Sequence, residues 1–498
     1  MRSLIGCLAV ACAALGSAPA AQEWARARVG SVDRNILVIV LDDVGSDKLH
    51  LFDDLVAPPY PRTPRIDALA EGGIKFRNFY SNPLCSAARA CMQTGRYGFR
   101  TGMGSNSEVW RLPDSEVLLP ELLRTGLPPE SAYRCGAFGK WHLGNQDPAH
   151  AVTNGYHRFY GTLINAYQHF NWQKIEHDEG GSPSAPIPTT TWSASVVRSD
   201  ASSWINAQTQ PFFAWVAFNP PHDEWQVPPL ALLSDLTRAE LAGFAEGQTA
   251  VGNEQRKLFY RAMLEAVDTE IGNLIDGIDS FQLANTMIFL VCDNGSDRRV
   301  IQPPHASTHG KATGYQLGIR VPLIVSGPLV PTPVPPGGHE CTQLVEAVDL
   351  WRTIGEIAGA DETLAFQSAG LFPPYPWLDS QSFLPQILDP SAPGSNEWVY
   401  SEIFNPPGPY RNSMCLRVHL RTLGDGDYKY VRWVVKEPGT PTCALPIYTH
   451  ELYRLTTDPH ETANLMLGPL TPQDRAALRD LRTRMDVLSS APGKIAWR

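Results

Sequence analysis

The sequence predicts an α/β protein: a large, mixed, mostly parallel sheet sandwiched by helices, followed by a smaller antiparallel subdomain. Three observations point there. Ile36–Leu41 reads ILVIVL, the unbroken apolar run of a strand buried on both faces of a parallel sheet, and Phe212–Phe218 and Met287–Cys292 have the same character. Each run releases polar residues at its end, Asp42-Asp43, Asn219-Pro220-Pro221-His222 and Asp293-Asn294-Gly295, where open α/β sheets bind ligands. From about Glu397 the segments EWVYSEI, SMCLRVHLRTL and YKYVRWVV are short, alternating and rich in β-formers.

The elements follow in chain order. Met1 and Arg2 precede an apolar run, Leu4–Leu15, that ends in Gly16-Ser17-Ala18-Pro19-Ala20, the pattern of a secretory leader over residues 1–20. The run is too short to span a bilayer, and nothing later resembles a membrane span, so the expectation is an exported, periplasmic or secreted protein. About 475 residues then remain, enough for a large domain and a small companion. Thr63-Pro64 opens an amphipathic helix in cap-then-proline order, with Ile66, Leu69 and Ala70 facing inward and Gly72-Gly73 stopping it. The Gly/Ser/Pro stretch from Gly180 to Pro188 reads as a surface loop beside the aromatic cluster Tyr167, His169, Phe170 and Trp172. A Pro/Gly-rich stretch from Phe372 to Gly394 divides an α/β domain over 33–390 from a subdomain over 391–498, which a helix from about Thr471 to Ser489 closes.

A net charge of −10 without a basic run argues against nucleic acid as a partner. Beyond the leader, Cys85, Cys91, Cys135, Cys292, Cys341, Cys415 and Cys443 lack the short paired spacings of a zinc site. Cys415 and Cys443 are candidates to close a loop in an oxidising compartment.

Asp42, Asp43, Asp293 and Asn294 offer hard oxygen donors, which suit Ca²⁺ or Mg²⁺ rather than zinc. An Asp-Asp after one strand is commonly a turn former; two such strand ends make a metal site the better reading. Cys85 opens CSAARACMQTGR, a turn leading into a short helix closed by Gly95, and places Arg89 one helical turn on, on the same face. Lys140 and His142 are two apart and would share one face of an extended segment. His222 follows a core strand, and Lys311 lies in the loop-like HGKATG. Lone histidines are usually structural, but two lysines and two histidines around a metal-bound anion make chemical sense: the lysines neutralise a charged ester and the histidines move protons.

Taken together, VIVLDD, TPRIDALAEGGIKFRNFYSNPLCSAARACMQTGR, GKWHLG, GYHRFYG, FNPPH, CDNG, GIRVPLIV and ELYRLTTDPHETANL resemble, in order and over nearly the whole mature chain, the type I sulfatases of the alkaline phosphatase superfamily. The resemblance implies an alkaline phosphatase-like fold and an exported hydrolase acting on a small sulfated substrate, an aryl sulfate or a sulfated sugar. Its nucleophile would be formylglycine, made from Cys85 by a maturation enzyme. By the same resemblance, Asp42, Asp43, Asp293, Asn294 and an oxygen on modified residue 85 hold one cation, Ca²⁺ or alternatively Mg²⁺. Arg89 and Lys140 steady residue 85, His142 contacts its hydrated aldehyde, and Lys140, His222 and Lys311 bind the sulfate. The chain departs from the family pattern at Ala87, where C-x-P-x-R has proline, at Ala88, where serine is common, and at Tyr315-Gln316-Leu317-Gly318 near Lys311. A phosphonate or phosphate ester hydrolase on the same scaffold, and a non-catalytic binding protein with Cys85 left as a thiol, are the alternative readings.

Overall fold

The protein is described from a computed structural model covering residues 34–52, 59–106, 111–373, 377–404, 415–423, 426–435 and 447–490. The leader over residues 1–20 and the Cys415–Cys443 pairing fall outside the described residues. The strands are β1 (Asn35–Leu41), β2 (Ile74–Tyr80), β3 (Arg134–Lys140), β4 (Arg158–Thr162), β5 (Trp172–Asp178), β6 (Ile187–Thr189), β7 (Phe212–Ala217), β8 (Thr286–Cys292), β9 (Leu323–Ser326), β10 (His339–Glu346), β11 (Trp398–Ile403), β12 (Cys415–Leu423), β13 (Gly426–Val435) and β14 (Ile447–Arg454).

Ten of these form one sheet in the order β10-β2-β9-β8-β1-β7-β3-β4-β5-β6. The run β8-β1-β7-β3-β4 is parallel throughout, while β9, β5 and β6 enter antiparallel. The three apolar runs of the sequence are three adjacent strands of this centre, buried at every position, as a strand covered on both faces must be. Their register brings the ends level: Leu41 pairs with Cys292, and Val40 with Ala217. The amide of Asp293 donates to the carbonyl of Leu41 at 3.1 Å, so the two strands release their acids side by side. Gly139 is required at the end of β3, because at its φ of +91° a Cβ would overlap the carbonyl of Ala217 on the neighbouring strand.

Pro64–Glu71 is helical, with Ile66, Leu69 and Ala70 buried. Its cap differs from the sequence reading. Thr63 makes no side-chain cap bond; instead Asp268, from the long helix Gly252–Asp276, accepts the amides of Arg65 at 3.1 Å and Ile66 at 2.7 Å. Residues 179–186 join β5 to β6, while Ile187 and Pro188, at the end of the stretch read as a loop, belong to β6 and pair with Lys174 and Gln173.

The small sheet is four-stranded and antiparallel, β11-β12-β13-β14, one strand more than the segments read from the sequence. The helix Pro472–Ser490 packs on it, and Tyr428, Tyr430 and Leu452 of the sheet share a separate core with Ala477, Leu481 and Met485 of the helix. Among the described residues no helix is long and apolar enough to cross a membrane.

Candidate active site

The site lies at the carboxyl end of the parallel centre. β1 delivers Asp42 and Asp43, β8 delivers Asp293 and Asn294, β3 ends in Lys140, and the turn after β7 carries His222. Cys85 begins the helix Cys85–Thr94, buried along its whole length and ended by Gly95 in the left-handed conformation at φ 66°, the turn-helix-glycine order read from the sequence.

These side chains converge. Cys85 Sγ is 3.5 Å from Asp42 Oδ1 and 3.8 Å from Asp43 Oδ1. Asp42, Asp43, Cys85 and His222 each bring one ligand atom within 4.8 Å of all the others. Lys140 Nζ donates to Asp42 Oδ2 and Lys311 Nζ to Asp43 Oδ1, both at 2.5 Å. Arg89 joins the two strand ends, with Nη2 at 2.9 Å from Asp293 Oδ2 and 3.8 Å from Asp42 Oδ2, and its Nη1 donates to the carbonyl of Lys140 at 2.8 Å. Asn294 Nδ2 donates to Asp43 Oδ1 at 2.8 Å. His222 Nε2 lies 3.7 Å from Asp43 Oδ2. All ten residues foreseen as ligands or catalytic groups are thus gathered here, His142 lying close enough for Lys140, Arg89 and Asp42 to act on its ring.

The route to His142 differs from the extended segment expected. β3 stops at Lys140, and His142 takes a left-handed backbone with φ 62°, as does Asp43 with φ 62°. A non-glycine residue held there costs free energy that the surroundings must supply, a pattern concentrated at functional sites.

The electrostatics follow from burial among charges. Burial would push the Asp42 carboxyl up, but Lys140, His222, Arg89 and Lys311 together outweigh it and hold it far below the usual carboxylate range. Burial pushes the Cys85 thiol up to about 12, with Asp42 and Asp293 adding to the effect and Lys140 and Lys311 opposing it. An unmodified Cys85 is therefore a neutral thiol at neutral pH and a poor nucleophile. Burial, reinforced by Lys140 and Arg89, holds the His142 imidazole well below its usual range, so its ring is neutral. Asn294 Oδ1 and His142 Nδ1 are buried without a hydrogen-bond partner among the described residues. An orphaned amide oxygen beside two aspartates is a donor set that fits a hard divalent cation.

A family model described as Sulfatase matches residues 34–360. The chain belongs to the sulfatase family. Human N-acetylgalactosamine-6-sulfatase is 28% identical over 392 residues, which cover 71% of this chain and 66% of that protein. Against the dog counterpart the coverage of the relative is 62%, so the chain spans slightly less than two thirds of the length of these relatives. Human arylsulfatase A is 27% identical over 492 residues, covering 92% of this chain and 88% of that protein. The crystal structure of the PsFucS1 sulfatase from Pseudoalteromonas sp. shares the fold with a TM-score of 0.66 at 18% identity, covering 95% of each chain.

Around this sulfatase-family centre the structure adds residues the sequence did not single out. His222 Nδ1 meets the carbonyl of Asp223 at 2.7 Å and its carboxylate at 3.1 Å, fixing which ring nitrogen faces Asp43. Tyr260 donates to the carbonyl of Asp43 at 2.9 Å, and Asn106 accepts the Ser86 amide at 2.9 Å. Asp47 stays outside the centre: it pairs with Lys48 and accepts from Ser296, tying the loop after Asp43 to the loop after Asn294. The adjacency of Asp223 to His222 was a readable signal; Asn106 and Tyr260 carry none, because only the tertiary fold brings them here.

Proposed function

We propose that this chain hydrolyses a sulfate monoester to an alcohol or phenol and inorganic sulfate, using formylglycine made from Cys85. One observation carries the reading: a buried, neutral Cys85 sits within 3.8 Å of two aspartates, each already met by a lysine. That environment makes a poor home for a working thiol and a good one for an oxygen on the same carbon. As the hydrated aldehyde, residue 85 carries two hydroxyls, one to attack sulfur and one whose proton can later be removed to expel sulfate. A thiol lacks the second oxygen and so has no comparable exit.

Asp42, Asp43, Asp293, Asn294 and the oxygen on residue 85 would hold one divalent cation, Ca²⁺ or alternatively Mg²⁺. When bound, it supplies positive charge against the sulfate oxygens and lowers the pKa of a coordinated hydroxyl. Arg89 and Lys140 orient residue 85. Lys311 and Lys140 hold the sulfate oxygens by charge. Neutral His142 takes the proton from the second hydroxyl, and His222 Nε2, aligned through Nδ1 by Asp223, gives a proton to the leaving oxygen. The apolar leader and the maturation step fit an exported protein, periplasmic or secreted, that meets a formylglycine-generating enzyme on its way. Small sulfated substrates are in keeping with relatives named N-acetylgalactosamine-6-sulfatase and arylsulfatase A.

The test is turnover of an aryl sulfate and of an aryl phosphonate monoester by the matured protein, with mass analysis of the peptide spanning residue 85. Sulfate release, together with a mass in which CHO replaces CH₂SH, is expected. Faster phosphonate hydrolysis would shift the assignment to the phosphonate reading, and an unmodified, inactive Cys85 would leave a binding protein.

A further inference from the structure

We infer that Tyr167 is the platform for the ring of the leaving alcohol, and that this ring carries no second anionic group beside the scissile ester. The inference rests on the hydrolase reading above and concerns the organic half of the substrate.

Tyr167 lies in the segment between β4 and β5, next to three other rings. Those three turn inward: His169 and Phe170 pack on Trp192 at 5.3 and 5.2 Å between centroids, and Trp172 is 4% exposed. Tyr167 alone turns out, 46% exposed, its ring centroid 6.0 Å from that of His222 in an edge-on arrangement. A single exposed aromatic is ordinarily unremarkable. This one is held rigidly. The Ala166 amide donates to Asn219 at 2.9 Å, the Tyr167 carbonyl accepts from Glu224 at 2.9 Å, and the His169 amide donates to Gln226 at 2.8 Å, so the segment is fastened on both sides of Tyr167 to the turn that carries His222. Asn165 donates to the tyrosine hydroxyl at 3.3 Å.

Geometry then decides what lies on the ring. A leaving oxygen that takes a proton from His222 sits about 3 Å from the imidazole. A ring attached to that oxygen and extending along the Tyr167 side of the imidazole lies within the roughly 4.5–7 Å centroid range at which aromatic faces interact with their neighbours. The charge beside it decides what the ring can carry. Asp223 follows His222, and its carboxylate is held by Arg299 at 2.6 Å; Arg299 is also engaged by both oxygens of Asp297, at 2.8 and 2.9 Å, and lies over Trp225 at 4.6 Å. Three carboxylates, Asp223, Asp297 and exposed Glu224, stand against the Arg299 guanidinium and a protonated His222, which leaves this group negative by one charge. A second sulfate on the ring would meet that charge, since Arg299 is already engaged by two carboxylates.

The experiment measures binding of phenyl sulfate, of benzene-1,2-disulfate ester and of inorganic sulfate to the Ca²⁺-loaded Cys85→Ala protein by calorimetry, alone and combined with Tyr167→Ala, Tyr167→Phe or Asp223→Asn. Tyr167→Ala should weaken phenyl sulfate about threefold to tenfold and leave inorganic sulfate unchanged, with Tyr167→Phe close to the parent. The diester should bind more weakly than phenyl sulfate, and Asp223→Asn should narrow that gap. Phenyl sulfate binding no tighter than inorganic sulfate, a Tyr167→Ala loss shared equally by both, or a diester bound as well as the monoester would overturn the inference. Absence of turnover by the wild-type protein with these binding differences intact would instead count against the hydrolase reading alone.

Discussion

Two clusters among the buried acids of this fold are satisfied in opposite ways. At the end of β1 and β8, Asp42, Asp43 and Asp293 are met chiefly by long, cationic side chains, Lys140, Lys311 and Arg89, and the neutral atoms Asn294 Oδ1 and His142 Nδ1 beside them have no hydrogen-bond partner among the described residues. Between the large sheet and β11, Glu346, Asp349, Asp379 and Glu402 are met largely by fixed donors. Glu346 accepts from the Tyr97 hydroxyl at 2.6 Å and the Tyr400 amide; Asp349 accepts from the amides of Glu346 at 2.8 Å and Gln381 at 2.7 Å and from Asn396 at 2.7 Å. Glu402 accepts from the Phe99 amide at 2.7 Å and the Tyr400 hydroxyl at 2.8 Å, and Asp379 from the Tyr97 amide at 2.9 Å. The titration directions set Asp42 apart from the second cluster, while Asp293, pushed up by burial and by Asp42 beside it, shifts the same way as that cluster. Asp42 is held low by surrounding cations despite its burial, whereas burial raises Glu346 well above the usual range and Asp349 to about 7. The first arrangement can exchange partners when an anion or a cation arrives; the second is held by backbone amides, the Tyr97 and Tyr400 hydroxyls and Asn396, with Arg100 paired to Asp379, and serves to join the two sheets.

Substitutions should therefore separate activity from stability, and the largest effect belongs to residue 85. Cys85→Ala should lower sulfate ester turnover by at least about 10⁴-fold, the scale of removing a nucleophile. Its unfolding midpoint should stay near that of the wild type. Full activity in this variant would be incompatible with any role for residue 85 as the attacking group. Removal of divalent cations by a chelator comes next. Turnover should fall about 10³-fold and return on adding Ca²⁺, and excess Ca²⁺ at about 100 times its Kd should stabilise the fold by about 2.7 kcal/mol. Activity indifferent to chelation and to Ca²⁺ would remove the metal from the account.

His222→Ala should cost about 10²-fold, and the loss should grow as the leaving group becomes a poorer one, because a proton donor matters most where the departing oxygen is most basic. A loss independent of leaving group would make His222 a sulfate-binding residue without a proton-transfer role.

The contrast also explains what the sequence disclosed. The centre of the sheet was legible because strands buried on both faces must be apolar without interruption, and Ile36–Leu41, Phe212–Phe218 and Met287–Cys292 are. Asp42, Asp43, Asp293, Asn294 and His222 were legible because they directly follow those strands. Strands away from those three runs were harder: β2, β4 and β5 carry charges within them, so periodicity alone does not mark them. The conformation at His142 was misread, since Lys140-Trp141-His142 gives no local sign of a left-handed residue, and pairing of the Trp141 and His142 amides with the carbonyls of Thr162 and Leu163 fixes it from across the sheet. The acid cluster by β11 was invisible, because its partners are backbone amides contributed by segments as far apart as Phe99 and Gln381.

The smallest effect tests the second cluster. Tyr97→Phe removes the hydroxyl that donates to Glu346 and should cost about 1–2 kcal/mol of stability while leaving turnover within about twofold. The cost should depend on pH in one direction. A carboxyl raised by burial contributes stability that is fully present below the ordinary carboxylate pKa and is lost as pH rises through its folded value, which for Asp349 is about 7. The Tyr97 hydroxyl favours the ionised form of Glu346 and so blunts that loss. Without it, the gap between variant and wild type should widen as pH rises from the ordinary carboxylate range upward through the raised folded value of Glu346, in thermal or denaturant unfolding. A gap that stays constant or narrows over that range would mean that Glu346 does not change protonation there, and that this cluster, like Asp42, is held in a single charge state.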